Sequence, residues 1–224
     1  MNRRELLSSL VVSPLLAAAA PDAGLAVGPT ARTLKPLPFD PSRLKGLSEK
    51  LLTSHHANNY GGAVKNLLKV EEELARLKPD APAGLVGGLR ERALVFHNSM
   101  TLHEWYFGNL GGDGKRSGPL AKALPSSWEQ DFRATALSLA GGSGWVTLSL
   151  HSATGELLTS WSGNHSQAAA GALPLLVLDM YEHSYALDYG AAAAKYVDAF
   201  FANLRWEEVE RRFAAASAAV RLLG

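Results

Sequence analysis

The chain has 224 residues, 47% of them hydrophobic, enough apolar material for one domain or two small, closely packed ones. Lys and Arg number 22 against 21 Asp and Glu, so there is no overall basic field to hold nucleic acid or an anionic membrane surface. Cysteine is absent, which excludes disulfides, thiolate nucleophiles and cysteine-ligated zinc and leaves any metal to histidine and carboxylate.

The opening MNRRELLSSLVVSPLLAAAAP places Arg3 and Arg4 before a Leu/Val/Ala run that ends in small residues, the layout of an export signal. Pro14 interrupts an apolar run already short for a bilayer, which disfavours an uncleaved anchor. The RRELL start resembles the twin-arginine type, which implies an exported, periplasmic protein with no stable membrane association after processing. Residues 1–31 are assigned to this signal, with cleavage expected between Ala20 and Ala31.

Pro36, Pro38 and Pro41 make residues 31–46 an extended lead-in. From Ser48 to Leu77, apolar residues recur at three- and four-residue spacings, which predicts helix, with a bend or a break at Gly61 and Gly62. KPDAPAG is a turn, and a second helix, antiparallel to the first, is expected from about Leu85 to Leu110. GGDGKRSG, Gly111 to Gly118, is the best internal boundary. One helical stretch is expected from Pro119 to Ser138, then strands at Trp145–Leu150 and Leu157–Trp161 joined through ATGE, a third strand at Pro174–Leu178, and helix from Ala191 to Leu223. The fold class is therefore α+β: an N-terminal antiparallel helical hairpin (32–112) and a C-terminal α/β domain with a small three-stranded antiparallel sheet (113–224).

Of seven histidines, His55 and His103 fall on the two long helices, and His183 follows Asp179 at the mouth of the third strand. Antiparallel packing can bring the two helical imidazoles face to face, with Asp179 and His183 docking against them. Three imidazoles and one carboxylate suit Fe or Mn, with a position left for solvent or substrate. Zinc accepts the same atoms, although no HExxH occurs.

PLLVLDMYEHSYALDYG, beginning at Pro174, resembles the D-x-x-E-H signature of the iron/manganese superoxide dismutases. LPFD at Leu37, SHHANNYGGAVKNL, LHEWYFGNL, GSGW at Gly142 and FFANLRWEEVERRF resemble other segments of that family and occur in its order. The resemblance implies His55, His103, Asp179 and His183 as ligands of one Fe or Mn ion per subunit, completed by a solvent molecule, with no organic cofactor. It implies that Glu182 bonds the ligand histidine of a second subunit, that Tyr185 lies at the same interface, and that the protein is a homodimer or a tetramer. Its activity would be conversion of superoxide to dioxygen and hydrogen peroxide.

Several positions depart from the family pattern. Asn59 and Ala63 stand where a histidine and a gateway tyrosine are usual, and Tyr60 is the nearest phenol in sequence. Phe107 and Tyr181 replace tryptophans of the site wall. His165 stands where a glutamine or a small residue is usual, and Ser99, four residues before His103, leaves room for its imidazole. His165 is thus expected to bond the metal-bound solvent, a role that tunes the metal's potential and favours iron over manganese. Two other readings use the same four groups: a metal-dependent hydrolase, and a metal-binding module without activity.

Overall fold

The computed structural model describes residues 32–223; residues 1–31, where an export signal is expected, lie outside them. After the lead-in and a 3-10 turn at Pro41–Arg43, helix α1 (Glu49–Ser54) starts at Ser48, whose hydroxyl accepts from the Leu51 amide. Such a cap satisfies one of the amides that the first turn leaves unpaired. A π-helical turn, His55–Tyr60, joins α1 to α2 (Gly61–Ala75) without a break. The irregularity expected at Gly61–Gly62 thus lies one turn earlier, where His55 and Tyr60 are buried. Single π turns within α-helices are commonly found at functional sites, because the extra residue re-aims side chains. Helix α3 (Ala83–Gly108) packs along α2 and completes the helical hairpin.

The helical stretch expected from Pro119 to Ser138 is two helices, α4 (Pro119–Ala123) and α5 (Trp128–Leu137). Leu124 precedes Pro125 and is extended (φ −70°, ψ 134°), the conformation that proline imposes on the residue before it. Strands β1 (Trp145–His151), β2 (Leu157–Ser162) and β3 (Ala172–Asp179) form an antiparallel sheet in the order β2-β1-β3. The register of β1 on β3 shifts between Leu148 and Ser149, so Ser149 faces Pro174, and a residue with no N–H to give the ladder sits at an irregularity. Leu175 to Leu178 are fully buried, with α3 and the last helix both packed on β3. A strand covered on both faces reads as a continuous apolar run, and each such side chain contributes about 1.5–3 kcal/mol relative to exposure.

After β3 the chain makes a 3-10 turn, Glu182–Ser184, then α6 (Ala186–Tyr189), α7 (Ala193–Ala202) and α8 (Trp206–Leu223). The helix expected from Ala191 to Leu223 is broken at Asn203–Arg205 by pairing with the glycine-rich connection. Gly112 N donates to Asn203 O (3.0 Å), Gly114 N to Leu204 O (3.0 Å) and Arg205 N to Asn109 O (2.7 Å). A Cβ on Gly112 would lie 2.1 Å from Leu204 O, so this close backbone approach requires glycine. Gly144, just before β1, is alike: its φ is +147° and a Cβ there would meet Ser162 O at 2.1 Å. The connection between the helical hairpin and the sheet-bearing half is therefore pinned by backbone bonds. From Arg32 onward the two halves form one compact unit.

Candidate metal centre

Asp179 is the last residue of β3 and stands opposite Trp145, the first of β1. Its Oδ1 accepts from the Tyr181 amide at 2.8 Å, the aspartate turn that reverses the chain at a strand end. Its carbonyl accepts from Ser184 Oγ (2.9 Å) and from Tyr196 Oη of α7 (2.7 Å). With the backbone and one carboxylate oxygen fixed, the other oxygen, Oδ2, is directed into the interior.

Three imidazoles converge on that oxygen. Asp179 Oδ2 lies 3.1 Å from Nε2 of His55, 3.3 Å from that of His183 and 3.5 Å from that of His103. One donor atom from each of the four side chains can be chosen so that all lie within 4.8 Å of one another. His55 comes from the π turn, His103 from α3 and His183 from the 3-10 turn after β3, so three separate segments supply the cluster. Bond lengths of about 2.0–2.2 Å to one ion separate its ligands by roughly 3–4.4 Å.

Protonation settles what these atoms can accept. His103 Nδ1 is 2.6 Å from the Ser99 carbonyl, which can only accept, so Nδ1 carries the proton and Nε2 of the neutral ring is a bare lone pair. That Nε2 is buried and has no hydrogen-bond partner among the described residues. Burial pushes the His103 imidazolium down to about 3 and lowers that of His55 as well, against the raising effect of Asp179. Burial alone would raise the Asp179 carboxyl, but hydrogen bonds with His183 and His55 outweigh it and hold the carboxyl well below the usual range. An ionised carboxylate thus faces a neutral nitrogen lone pair in the interior. Two acceptors so placed repel unless a cation lies between them, and the nitrogen and oxygen donors match Fe or Mn.

The walls are aromatic. Phe107 lies 5.0 Å from His55 between ring centroids, Trp145 meets His103 edge-on at 5.1 Å, and Tyr181 stacks on His183 at 5.2 Å. Among the four converging side chains, His183 alone reaches the surface, 28% exposed. His165 stacks on Tyr181 at 4.8 Å, with its ring centroid 6.4 Å from that of His103. Its backbone carbonyl accepts from Asn98 Nδ2, next to Ser99, at 2.6 Å.

The relatives of this chain are named as iron or manganese superoxide dismutases. An iron superoxide dismutase of Cupriavidus metallidurans is 47% identical over 190 residues, covering 82% of this chain and 96% of that protein. The chain belongs to the iron/manganese superoxide dismutase family. The model of that family's C-terminal domain matches residues 124–212. A manganese superoxide dismutase of Halobacterium salinarum is 34% identical over 198 residues (82% of this chain, 96% of that protein). An iron enzyme of Aquifex aeolicus is 30% identical over 200 residues (82% and 92%).

Where this chain departs from the dismutase pattern, the structure supplies different neighbours. Ala63 is buried, and Tyr60 is 1% exposed with its ring 6.4 Å from that of His103. The Tyr60 hydroxyl donates to Glu104 Oε1 at 2.8 Å and accepts from the Lys35 amide at 3.1 Å, and burial pushes the phenol up to about 12. Glu182 is exposed on the 3-10 turn. Tyr185 differs from the expectation of a dismutase interface residue. It is 1% exposed, stacks on Tyr196 at 5.3 Å and accepts from the Gly141 amide, so its ring belongs to the protomer's interior. The alternation along the chain after Asp179 did not reveal this, because turns carry no fixed period.

The sequence also gave no sign of Tyr196, Ser184 and Trp145, which hold the Asp179 backbone or border the site. Tyr196 and Trp145 reach it from elements that periodicity marks only as apolar, and Ser184 from a turn that has no period.

Proposed function

We propose that the protein is a superoxide dismutase with one Fe or Mn ion per subunit, held by His55, His103, Asp179 and His183. The observation that carries this reading is the unpartnered, buried Nε2 of His103, 3.5 Å from an ionised carboxylate oxygen that two further imidazoles also approach. The names and coverage of the relatives support the activity.

When bound, the ion supplies one-electron chemistry: one superoxide is oxidised to dioxygen, and a second takes that electron and two protons to become hydrogen peroxide. The protein's residues do the rest. Ser99 holds the His103 proton on Nδ1 so that Nε2 stays available, and Tyr181, Ser184 and Tyr196 fix Asp179. Phe107, Tyr181 and Trp145 keep bulk water from the ligand atoms. His165, wedged beside Tyr181, is assigned as hydrogen-bond donor to the site's solvent, and this contact favours iron as the native metal. Tyr60 is assigned as the phenol that takes part where Ala63 replaces the gateway tyrosine, its proton held by Glu104.

The exposed Glu182 beside His183 supports a homodimer in which each subunit's glutamate braces the other's ligand. The N-terminal sequence supports export to the periplasm. Among the described residues, no helix is long and apolar enough to cross a membrane.

The test is metal analysis of protein made in its own host, followed by removal of the metal and separate reconstitution with iron and manganese. Stoichiometric binding with superoxide turnover restored by iron is expected. Zinc as the native metal, with ester or phosphate hydrolysis and no redox signal, would overturn the reading.

A further inference from the structure

His165 has two ring nitrogens, and only one carries a proton in the neutral ring. The indole nitrogen of Trp145 lies 2.9 Å from His165 Nδ1. An indole N–H donates and never accepts, so Nδ1 presents its lone pair and the ring proton resides on Nε2. The opposite tautomer would set two N–H groups against each other and leave the Trp145 donor, in a side chain with no exposure, without a partner.

Ring reversal offers no escape, because it would set Cδ2–H, which cannot accept, against the Trp145 indole N–H. The ring plane itself is set by stacking on Tyr181 (4.8 Å, 10°), which stacks in turn on His183 (5.2 Å, 17°), and the His165 carbonyl is tied to Asn98. Trp145 is equally fixed, being the first residue of the central strand, between Ser162 and Asp179. We propose that Trp145 is a positioning residue that selects the tautomer of His165, making Nε2–H the ring's one donor and aiming it at the solvent of the metal centre. This rests on the assignment of His165 above. A glutamine carries its acceptor and its donor on different atoms by covalent structure. An imidazole acquires the same division only from a partner that fixes it, so Trp145 matters more in a chain with histidine at this position. A buried hydrogen bond that would otherwise go unmade biases the tautomers roughly tenfold or more.

The full chain, labelled with 15N-histidine and loaded with diamagnetic zinc, gives the tautomer directly from two-bond proton–nitrogen spectra. His165 is expected wholly as Nε2–H in the wild type, and as a mixture in Trp145→Phe. In the iron-loaded protein, Trp145→Phe is expected to lower turnover about tenfold and to shift the midpoint potential, and to do neither in a His165→Ala background. An Nδ1–H ring in the wild type, an unchanged tautomer in Trp145→Phe, or an equal loss in the His165→Ala background each overturns the proposal; the last would mean that Trp145 only packs. If Trp145→Phe does not fold, the wild-type spectra decide: a scalar coupling across the hydrogen bond from the Trp145 indole N–H to His165 Nδ1 is expected, and its absence overturns the proposal. His165→Ala with unchanged turnover and potential would instead remove the assignment of His165, while the Nε2–H signal of the wild type would stand.

Discussion

Asp179 Oδ2 and His55 Nε2 lie 3.1 Å apart although 124 residues separate them along the chain. The contact joins the π turn of the helical hairpin to the end of β3, the neighbour of the central strand, so folding of both halves is needed to assemble the cluster. A carboxylate at this point is costly in the interior unless it is compensated, and the His55 and His103 imidazoles, whose charged forms burial disfavours, compensate it poorly.

Asp179→Asn tests the charge without changing the shape. The amide oxygen can still accept from the Tyr181 amide, so the turn should persist. Metal content should nonetheless fall beyond the roughly 10–100-fold typical of losing a supporting contact, and superoxide turnover should fall with it. Metal analysis and circular dichroism on one sample separate the two effects. Full metal occupancy in a folded Asp179→Asn protein would count against the ligand set.

Acid should destabilise the metal-free protein in a defined window. His103 is held neutral down to about pH 3 by burial, whereas in the unfolded chain it protonates near pH 6.5. Below 6.5 the unfolded state therefore binds more protons, and stability falls as pH falls, by about 1.4 kcal/mol per unit for this one group. The loss ends near pH 3, where the folded ring also protonates, and the depressed Asp179 carboxyl adds a loss of the same sign below pH 4. Urea unfolding at pH 7, 6 and 5 measures the slope, and His103→Gln should flatten it.

Tyr60→Phe separates chemistry from bracing. The hydroxyl joins the lead-in, through the Lys35 amide, to Glu104 of α3, and Lys35 itself forms an ion pair with Glu104. Losing two hydrogen bonds should cost about 1–2 kcal/mol in thermal unfolding. A several-fold fall in turnover at constant metal content is expected in addition. If turnover does not change, Tyr60 is a brace for the lead-in and takes no part in the reaction.

The convergence of His55, His103, Asp179 and His183 was readable from sequence because each sits in a local pattern, two on long helices and two around the LDMYEH turn, and those patterns appear in a recognisable order. The strands were readable for a similar reason: alternation in β1 and the apolar run in β3 directly record which faces are covered. β3 extends beyond the expected Pro174–Leu178 to Ala172–Asp179, where pairing with β1 carries residues that have no apolar pattern. What stayed hidden depends on distant partners. The interruption at Asn203–Arg205 exists because Asn203 also bonds both the amide and the carbonyl of Lys45, 158 residues away. Likewise, nothing near Trp145 in sequence announces that its indole meets His165. The break at Leu124 was readable in principle, since Pro125 stood in the sequence, but the helical spacing on either side outweighed it.

Glu182→Ala tests the dimer. The side chain is exposed, next to His183, the one converging imidazole that reaches the surface. A carboxylate so placed either is solvated or meets a donor on a second copy, and the two cases differ in measurable ways. In the second case, its removal leaves a partner's donor unpaired in the interface, which costs on the order of 2 kcal/mol or more and weakens association at least about thirtyfold. Sedimentation velocity over a dilution series should then show monomer where the wild type is dimeric. Metal retention should fall at the same concentrations, because the imidazole loses the group that orients it. An unchanged dissociation constant with full metal occupancy would mean that Glu182 is only a solvated charge at a turn.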